Sequence, residues 1–244
     1  MATRKRPDTT AGDRWRYVLI GLGGIGGRVL RELVPLLHSL DTGATVVAVD
    51  GDTFEERNRA RQLFGRPGPK AEVLVEELAD TYGDRVALIP VVRYVTAHTV
   101  AGVIGERSVV FCQPDNNATR AVVARRCARL RHVVLLTGGN DGVENGQAGT
   151  YGNVHVYVRR AGRDRTNPPG RYHPEIAQPT DALPTAVGCA AAAASAPQLA
   201  ITNLAVATGM LAAFHAWRSG ALDYEELYLD VALGRMSPVR REVT

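Results

Sequence analysis

The stretch Tyr17-Val18-Leu19-Ile20-Gly21-Leu22-Gly23-Gly24-Ile25-Gly26-Gly27 decides the fold. An apolar run of strand character leads straight into glycines spaced Gly21-x-Gly23-x-x-Gly26, and Val29, Leu30, Leu33 and Leu37 then recur at helical spacing. Pro35 falls inside that pattern and is expected to kink or shorten the helix. A second apolar run, Ala44-Thr45-Val46-Val47-Ala48-Val49-Asp50, reads as a buried strand ending in an acid. Strand, glycine turn, helix, strand is the unit of a doubly wound parallel sheet. Glycines here permit a sharp turn and let backbone N–H groups approach a phosphate at the positive end of the helix. With Asp50 to meet a ribose, the spacing implies an adenine nucleotide, but it does not separate ATP from a nicotinamide cofactor.

The alternation continues along the chain. Helices are expected over 69–81, 97–104 and 117–130, and strands over 85–92, 108–112 and 132–137. Gly138 to Gly142 reads as a turn, and Gly152 to Val158 as an antiparallel strand. Residues 161–184 form a long proline-rich connection, expected to be irregular or mobile and to order on binding a partner. From Ala182 to Trp217 no side chain is formally charged. That run is dominated by Ala, Gly, Ser and Thr and is broken by Pro197, so a buried, tightly packed helix is expected there, not a membrane span. One or two short strands over 224–238 close the fold. The expectation is an α/β, Rossmann-like doubly wound, mostly parallel sheet with added antiparallel strands at its C-terminal side. It forms a single domain over residues 14–244, after a disordered tail over residues 1–13 that carries Arg4-Lys5-Arg6.

Composition narrows the function classes. The 244 residues carry a net charge of only +4, and no basic run interleaved with aromatics marks a nucleic-acid surface. Cys112, Cys127 and Cys189 are widely spaced and offer neither a disulfide framework nor paired zinc knuckles, and no secretory signal opens the chain. A cytoplasmic protein without a structural zinc is expected. Lys5 and Lys70 are the only lysines among 29 basic residues, so Lys70 stands out inside the folded region.

Lys70 belongs to a cluster that favours ATP. Beyond Asp50 the chain runs through Asp52, Asn58, Arg61 and Gln62 to Gly68-Pro69-Lys70. A guanidinium and an ammonium neutralise phosphate oxygens while amides and carboxylates fix geometry. A second constellation, Phe111-Cys112-Gln113-Pro114-Asp115-Asn116-Asn117, follows the fourth strand. An acid at the carboxyl end of a parallel strand faces the ligand crevice, where Asp115 can hold Mg2+ together with phosphate oxygens. Its other reading is helix N-cap, although Asn117 is as good a cap and would leave Asp115 free.

Together these motifs resemble the ThiF/MoeB family of adenylyltransferases, relatives of ubiquitin-activating enzymes. The resemblance rests on residues 21–26, Asp50-x-Asp52, Asn58-x-x-Arg61-Gln62, Pro69-Lys70 and Asp115-Asn116 with Arg120, and it covers roughly residues 17–215. The segment before Asp50, the Gly146-Gln147 pair, and Cys189 followed by Gln198 and Asn203 look most like the plasmid-associated PRTRC-system ThiF subgroup.

The resemblance implies an ATP-dependent reaction in which the C-terminal glycine carboxylate of a small ubiquitin-like or sulfur-carrier protein attacks the α-phosphorus. An acyl-adenylate and pyrophosphate result. By position, Gly21, Gly23, Gly24 and Gly26 would hold phosphates and Asp50 the ribose. Asp52 and Asn116 would line the nucleotide, Asn58, Arg61 and Lys70 would contact phosphates and stabilise charge, Gln62 would support that loop at the nucleotide, and Asp115 would hold Mg2+. A homodimer is implied too. Three departures stand beside this. The arginine motif that many members place upstream of the first strand is missing, with only Arg14 and Arg16 there; the zinc-binding cysteine pairs are absent; and there is no separate thioester domain. Cys189 lies where some relatives bond to the carrier, but a small buried thiol is its other reading. An NAD(P)-dependent oxidoreductase would explain the glycines and Asp50 while leaving Asn58, Arg61, Lys70 and Asp115 without roles. A nucleotide-binding regulatory subunit of the same fold is the third reading.

Overall fold

The computed structural model describes residues 15–40, 43–143, 148–185 and 198–243. Eleven strands occur among them: β1 (Arg16–Ile20), β2 (Thr45–Val49), β3 (Thr53–Phe54), β4 (Gly68–Pro69), β5 (Ala87–Val91), β6 (Ser108–Cys112), β7 (Val133–Asn140), β8 (Tyr151–Arg160), β9 (Arg163–Asp164), β10 (Glu226–Asp230) and β11 (Arg235–Val239). The helices are α1 (Gly26–Ser39), α2 (Lys70–Tyr82), α3 (Val100–Val103), α4 (Asn117–Ala128), α5 (Pro174–Ala177) and α6 (Ala200–Arg218).

Nine strands form one sheet in the order β11-β10-β8-β7-β6-β1-β2-β5, with β9 beside β8. The strands β5, β2, β1, β6 and β7 run parallel. β8, β10 and β11 extend the sheet antiparallel, as the sequence predicts for its C-terminal side. Strand order reverses between β1 and β6, where a doubly wound sheet opens a ligand crevice at the carboxyl ends of its strands. Ile20 pairs with Val49 on one side and Cys112 on the other, so Gly21, Asp50 and Gln113 leave the sheet side by side.

Apart from β5, the parallel strands bury both faces, which is why they read as unbroken apolar runs. Tyr17, Leu19, Val46, Phe111 and Leu136 pack on one face with residues of α1, α2 and α6. Val18, Ile20, Val47, Val110 and Leu135 pack on the other with α3 and α4. β5 is the exposed edge strand, and this is where Pro90 is tolerated.

Three expectations change. α1 passes through Pro35 without stopping and runs to Ser39. Gly138 and Gly139 belong to β7, not to a turn. A Cβ on Gly138 would lie 2.7 Å from Met210 Sδ, and one on Gly152 would lie 2.4 Å from Val206 Cγ2, so these glycines admit α6 to the sheet. The connection after β9, expected to be irregular, holds a one-turn 3-10 helix at Pro169–Arg171 and then α5. α6 is long and apolar enough to cross a membrane, but half of that stretch is buried within the fold, and Val206, Met210, Phe214 and Trp217 belong to the core. Residues 1–14, 186–197 and the pair Gly146-Gln147 lie outside the described residues, and with them the N-terminal tail, Arg14 and Cys189.

Candidate functional site

The glycine loop is wedged among three other segments. Gly21 has φ +85°, a conformation that favours glycine, and a Cβ there would meet the Pro114 backbone nitrogen at 2.8 Å. A Cβ on Gly26 would sit 1.9 Å from the Gly21 carbonyl oxygen. On Gly24 it would lie 2.3 Å from Asn203 Nδ2 of α6 and 3.1 Å from the Arg61 carbonyl. Gly23 is looser, 3.8 Å from Gln62 Nε2. α1 then starts with no side-chain cap at Ile25 and no acid in its first turn, which leaves its positive end available to an anion.

Around this loop lie buried amides that find no partner among the described residues. Both polar side-chain atoms of Gln113 and of Asn203, and Oε1 of Gln62, have none there, although these residues are only 8%, 0% and 8% exposed. Each orphaned polar group costs about 1–3 kcal/mol. Such a ring fits a polar ligand seated in the crevice. The sequence places Gln113 in the constellation after the fourth strand but gives it no role, because nothing in its local context distinguishes it from a core-flanking polar residue.

The acids after β2 are tightly held. Asp50 is buried, with Oδ2 accepting the Leu22 N–H at 2.5 Å and Oδ1 accepting the Asp52 N–H at 2.8 Å. Burial pushes its carboxyl above the usual range, against the pull of the Lys70 ammonium and the two backbone N–H groups. Lys70 is 6% exposed and donates from Nζ to Asp52 Oδ2 at 2.8 Å. Burial pushes Asp52 up as well, but Lys70 and the Tyr94 hydroxyl outweigh it and hold that carboxyl below its ordinary range. The lone lysine of the folded region is thus a fixed positive charge beside two carboxylates. Asn58 ends a one-turn 3-10 helix; its carbonyl accepts the N–H groups of Arg61 and Gln62, and its Oδ1 accepts from Arg61 Nη2 at 3.3 Å.

On the other side of the crevice, Asp115 is exposed after β6, with Gln198 Nε2 3.4 Å from its Oδ2. The cap of α4 is Asn116, not Asn117: Asn116 Oδ1 accepts from both Thr119 N and Thr119 Oγ1 at 2.8 Å. Its Nδ2 donates to the Ala182 carbonyl at 2.8 Å, so the amide predicted to line the nucleotide is committed to holding the chain. Asp115 is thus not the cap of α4 and keeps its contact with Gln198. Asp181, which the sequence reading missed, accepts the N–H groups of Asn117 and Ala118 at 2.6 and 2.9 Å. Arg120 braces the crevice wall by donating to the carbonyls of Pro114 and Gly138, each at 3.0 Å.

From Asp115 a cavity of about 590 Å³ runs away from the glycine loop across the ends of β7, β8 and β10. Asn140, Asn153 and Tyr228 line it, and Glu175 and Asp181 supply a wall from the connection. Cys112 and Cys127 are buried, and burial pushes the Cys112 thiol up to about 12 and the Cys127 thiol up as well. Arg16 begins β1, at the strand end away from the crevice.

Comparison with known proteins is consistent with this architecture. The ThiF family model matches residues 9–233. Ubiquitin-like modifier-activating enzyme 1 of Mus musculus is 29% identical over 154 residues, and that of Homo sapiens 27%. These matches cover 59% of this chain and 13% of each relative, so the chain corresponds to a small part of their length. Among solved structures, E. coli MccB with succinimide superposes with a TM-score of 0.67 at 15% identity, covering 93% of this chain and 63% of that one. E. coli MccB with ATP gives 0.66 at 15%, covering 94% and 65%, and PaaA gives 0.65 at 14%, covering 93% and 65%. These structural likenesses share the fold.

Proposed function

The chain belongs to the ThiF family, and from that premise we propose that it is an ATP-dependent adenylyltransferase. Its substrate would be the C-terminal carboxylate of a small ubiquitin-like or sulfur-carrier protein. The observation that carries this reading is the meeting of two spaces at Asp115. One is the glycine crevice with its ring of orphaned buried amides, and the other is the cavity over the antiparallel strands. A nucleotide suits the first and an extended peptide tail the second. The matched relatives are named as ubiquitin-like modifier activators, and the superposed structures include MccB with ATP and with MccA, which supports the same assignment.

In this reading the glycine loop and the bare N-terminus of α1 hold phosphates, and Asp50 receives the ribose hydroxyls. Asp115 is the carboxylate that would hold Mg2+, whose charge offsets that of the phosphates. Arg61, positioned by Asn58, and Lys70, positioned by Asp52, stabilise charge on the α-phosphorus. The tail carboxylate attacks that phosphorus, the bond to pyrophosphate breaks, and an acyl-adenylate remains. Positioning and electrostatics supply the catalysis. The chain would act in the cytoplasm as a homodimer, and Ile201 and Leu204, exposed on α6, offer an apolar surface for such pairing. Within the family we place it nearest the PRTRC-system subgroup, on the segment before Asp50, the Gly146-Gln147 pair, and Cys189 followed by Gln198 and Asn203.

ATP–pyrophosphate exchange, measured with a panel of small proteins ending in glycine, tests the proposal. Exchange should fall by roughly a hundredfold or more in Asp115→Ala and in Arg61→Ala while the circular dichroism spectrum is retained. Exchange that survives both substitutions would overturn the site assignment. Tight NADH binding with no ATP binding would sink the reading altogether.

A further inference from the structure

Outside the nucleotide crevice, the described residues hold one group of metal-ligating side chains: His155 on β8, His173 just before α5, and Glu226 on β10. His155 and Glu226 are direct cross-strand partners, so their side chains share one face of the sheet. His173 is brought over them by the connection, which is anchored where Glu225 Oε2 accepts from Asn167 N at 2.7 Å and from Asn167 Nδ2 at 2.9 Å. One ligand atom from each of the three residues lies within 4.8 Å of the others.

The hydrogen bonds orient both imidazoles as metal ligands are oriented. His155 is fully buried, and its Nε2–H donates to the Asn167 carbonyl at 2.9 Å. That bond fixes the tautomer and leaves Nδ1 as a buried lone pair with no partner among the described residues. His173 places Nδ1 3.3 Å from Glu175 Oε1 and Nε2 2.7 Å from Glu226 Oε1. Each ring thus has its outer nitrogen against a carbonyl or carboxylate, the usual support of a ligating histidine. Arg241 Nη1 pairs with the other carboxylate oxygen of Glu226 at 2.7 Å, and Oε1 faces His173 Nε2 while also accepting from Asn153 Nδ2 at 3.0 Å. Carboxylates of Glu175, Glu225 and Glu226 gather around the two imidazoles, with the Arg241 guanidinium beside Glu225 and Glu226, an acid-rich setting that suits a cation.

We propose that His155 Nδ1, His173 Nε2 and Glu226 Oε1 bind one divalent transition-metal ion of the zinc class. Two imidazoles and a carboxylate suit such an ion and not Mg2+, which prefers oxygen. The ion takes the place of the proton between His173 and Glu226, and their separation opens from 2.7 Å to roughly 3.3 Å, the span of two ligands about 2.0–2.1 Å from a tetrahedral centre. A hydrogen-bonded pin of His173 and Glu226 alone would give the buried His155 Nδ1 no role. Because Asn153 and Glu175 also line the cavity, the ion ties the connection to β8 and β10 and fixes the shape of that cavity. The expectation of no zinc rests on the missing cysteine pairs. These ligands come from three separate elements, a pattern with no motif spacing to read.

The test uses the full chain, stripped with a chelator and reconstituted with ZnCl2 or CoCl2, and it is independent of any adenylation activity. Metal content should reach one ion per chain, with visible cobalt absorption and a higher melting temperature. Affinity should fall by roughly a hundredfold or more in His173→Ala and Glu226→Gln, and roughly tenfold in Glu175→Gln. Cys189→Ser should bind as the parent does. A stripped parent that takes up no zinc or cobalt at micromolar concentration would overturn the proposal. So would full stoichiometry in a His173→Ala chain with unchanged circular dichroism, or loss of the ion in Cys189→Ser.

Discussion

A methyl group has no place on Gly24, because its neighbours are the Asn203 amide and a backbone carbonyl of the Arg61 loop. Gly24→Ala should therefore push these segments apart and lower ATP affinity roughly tenfold or more by calorimetry, since the phosphates lose their aligned N–H groups. Gly102, in α3, has nothing within 4 Å of its would-be Cβ. Gly102→Ala should leave ATP binding untouched and raise stability by up to about 1 kcal/mol; equal affinities in the two variants would argue against the glycine loop as the phosphate site. The thiols give a second test at this scale. Burial raises the Cys112 pKa to about 12 and raises that of Cys127, so both remain protonated and covered at pH 8, and the thiolate grows only as pH climbs toward the shifted value. A disulfide reagent should find at most one reactive thiol in the native chain and three in denaturant. Two fast thiols in the native chain would contradict the burial. Gly21 to Gly26 and Asp50 stood out in the sequence because each directly follows an apolar strand run, and Lys70 because it is the one lysine after residue 5. Gln113, Asp181 and the partners of His155 did not, since only tertiary pairing tells what their side chains meet.

At the scale of elements, periodicity located the strands and helices well but misjudged glycine and proline. Gly138-Gly139 looks like a turn to local propensity, and Pro35 looks like a helix break. In the structure α1 continues through Pro35 to Ser39, and Gly138-Gly139 belong to β7, whose thin glycine surface lets α6 lie close to the sheet. Gly138→Ala should then overpack against Met210 and Val206 and cost about 1–3 kcal/mol of unfolding free energy in urea. Met210→Ala alone should cost about 2–5 kcal/mol through the cavity it leaves. The double variant should be more stable than the sum of the two predicts, because the new methyl enters the space that the methionine vacates. Strict additivity would mean that α6 does not press on β7 at this point. The connection after β9 was read as irregular, since no apolar period runs through its prolines. Its order comes from polar ties to other elements, which a local reading cannot see.

Across the whole molecule, the sheet divides the work by strand direction. The parallel strands end at the glycine crevice, and the antiparallel strands floor the cavity beyond Asp115. What joins the halves is the connection between β9 and α6. It is tied to β10 through Asn167 and His173, and to the N-terminus of α4 through Asp181. The Asp181 carboxylate sits where the dipole of α4 favours an anion, next to Asp115, and so sets one wall of the space proposed for the incoming tail. Removing it should release the wall without touching the nucleotide. Asp181→Ala should lose about 0.5–2 kcal/mol of local stability, the usual cost of a lost cap. When opening is fast relative to cleavage, protease susceptibility follows the open population, so trypsin cleavage at the exposed Arg171 should quicken by roughly two- to thirtyfold. In the exchange assay KM for the carboxylate substrate should rise by a similar factor, with ATP affinity unchanged, because only ground-state placement of the tail is disturbed. If cleavage and KM both stay at the parent values, the wall does not depend on Asp181. A fall in ATP affinity of the same size would mean instead that the two spaces are one site.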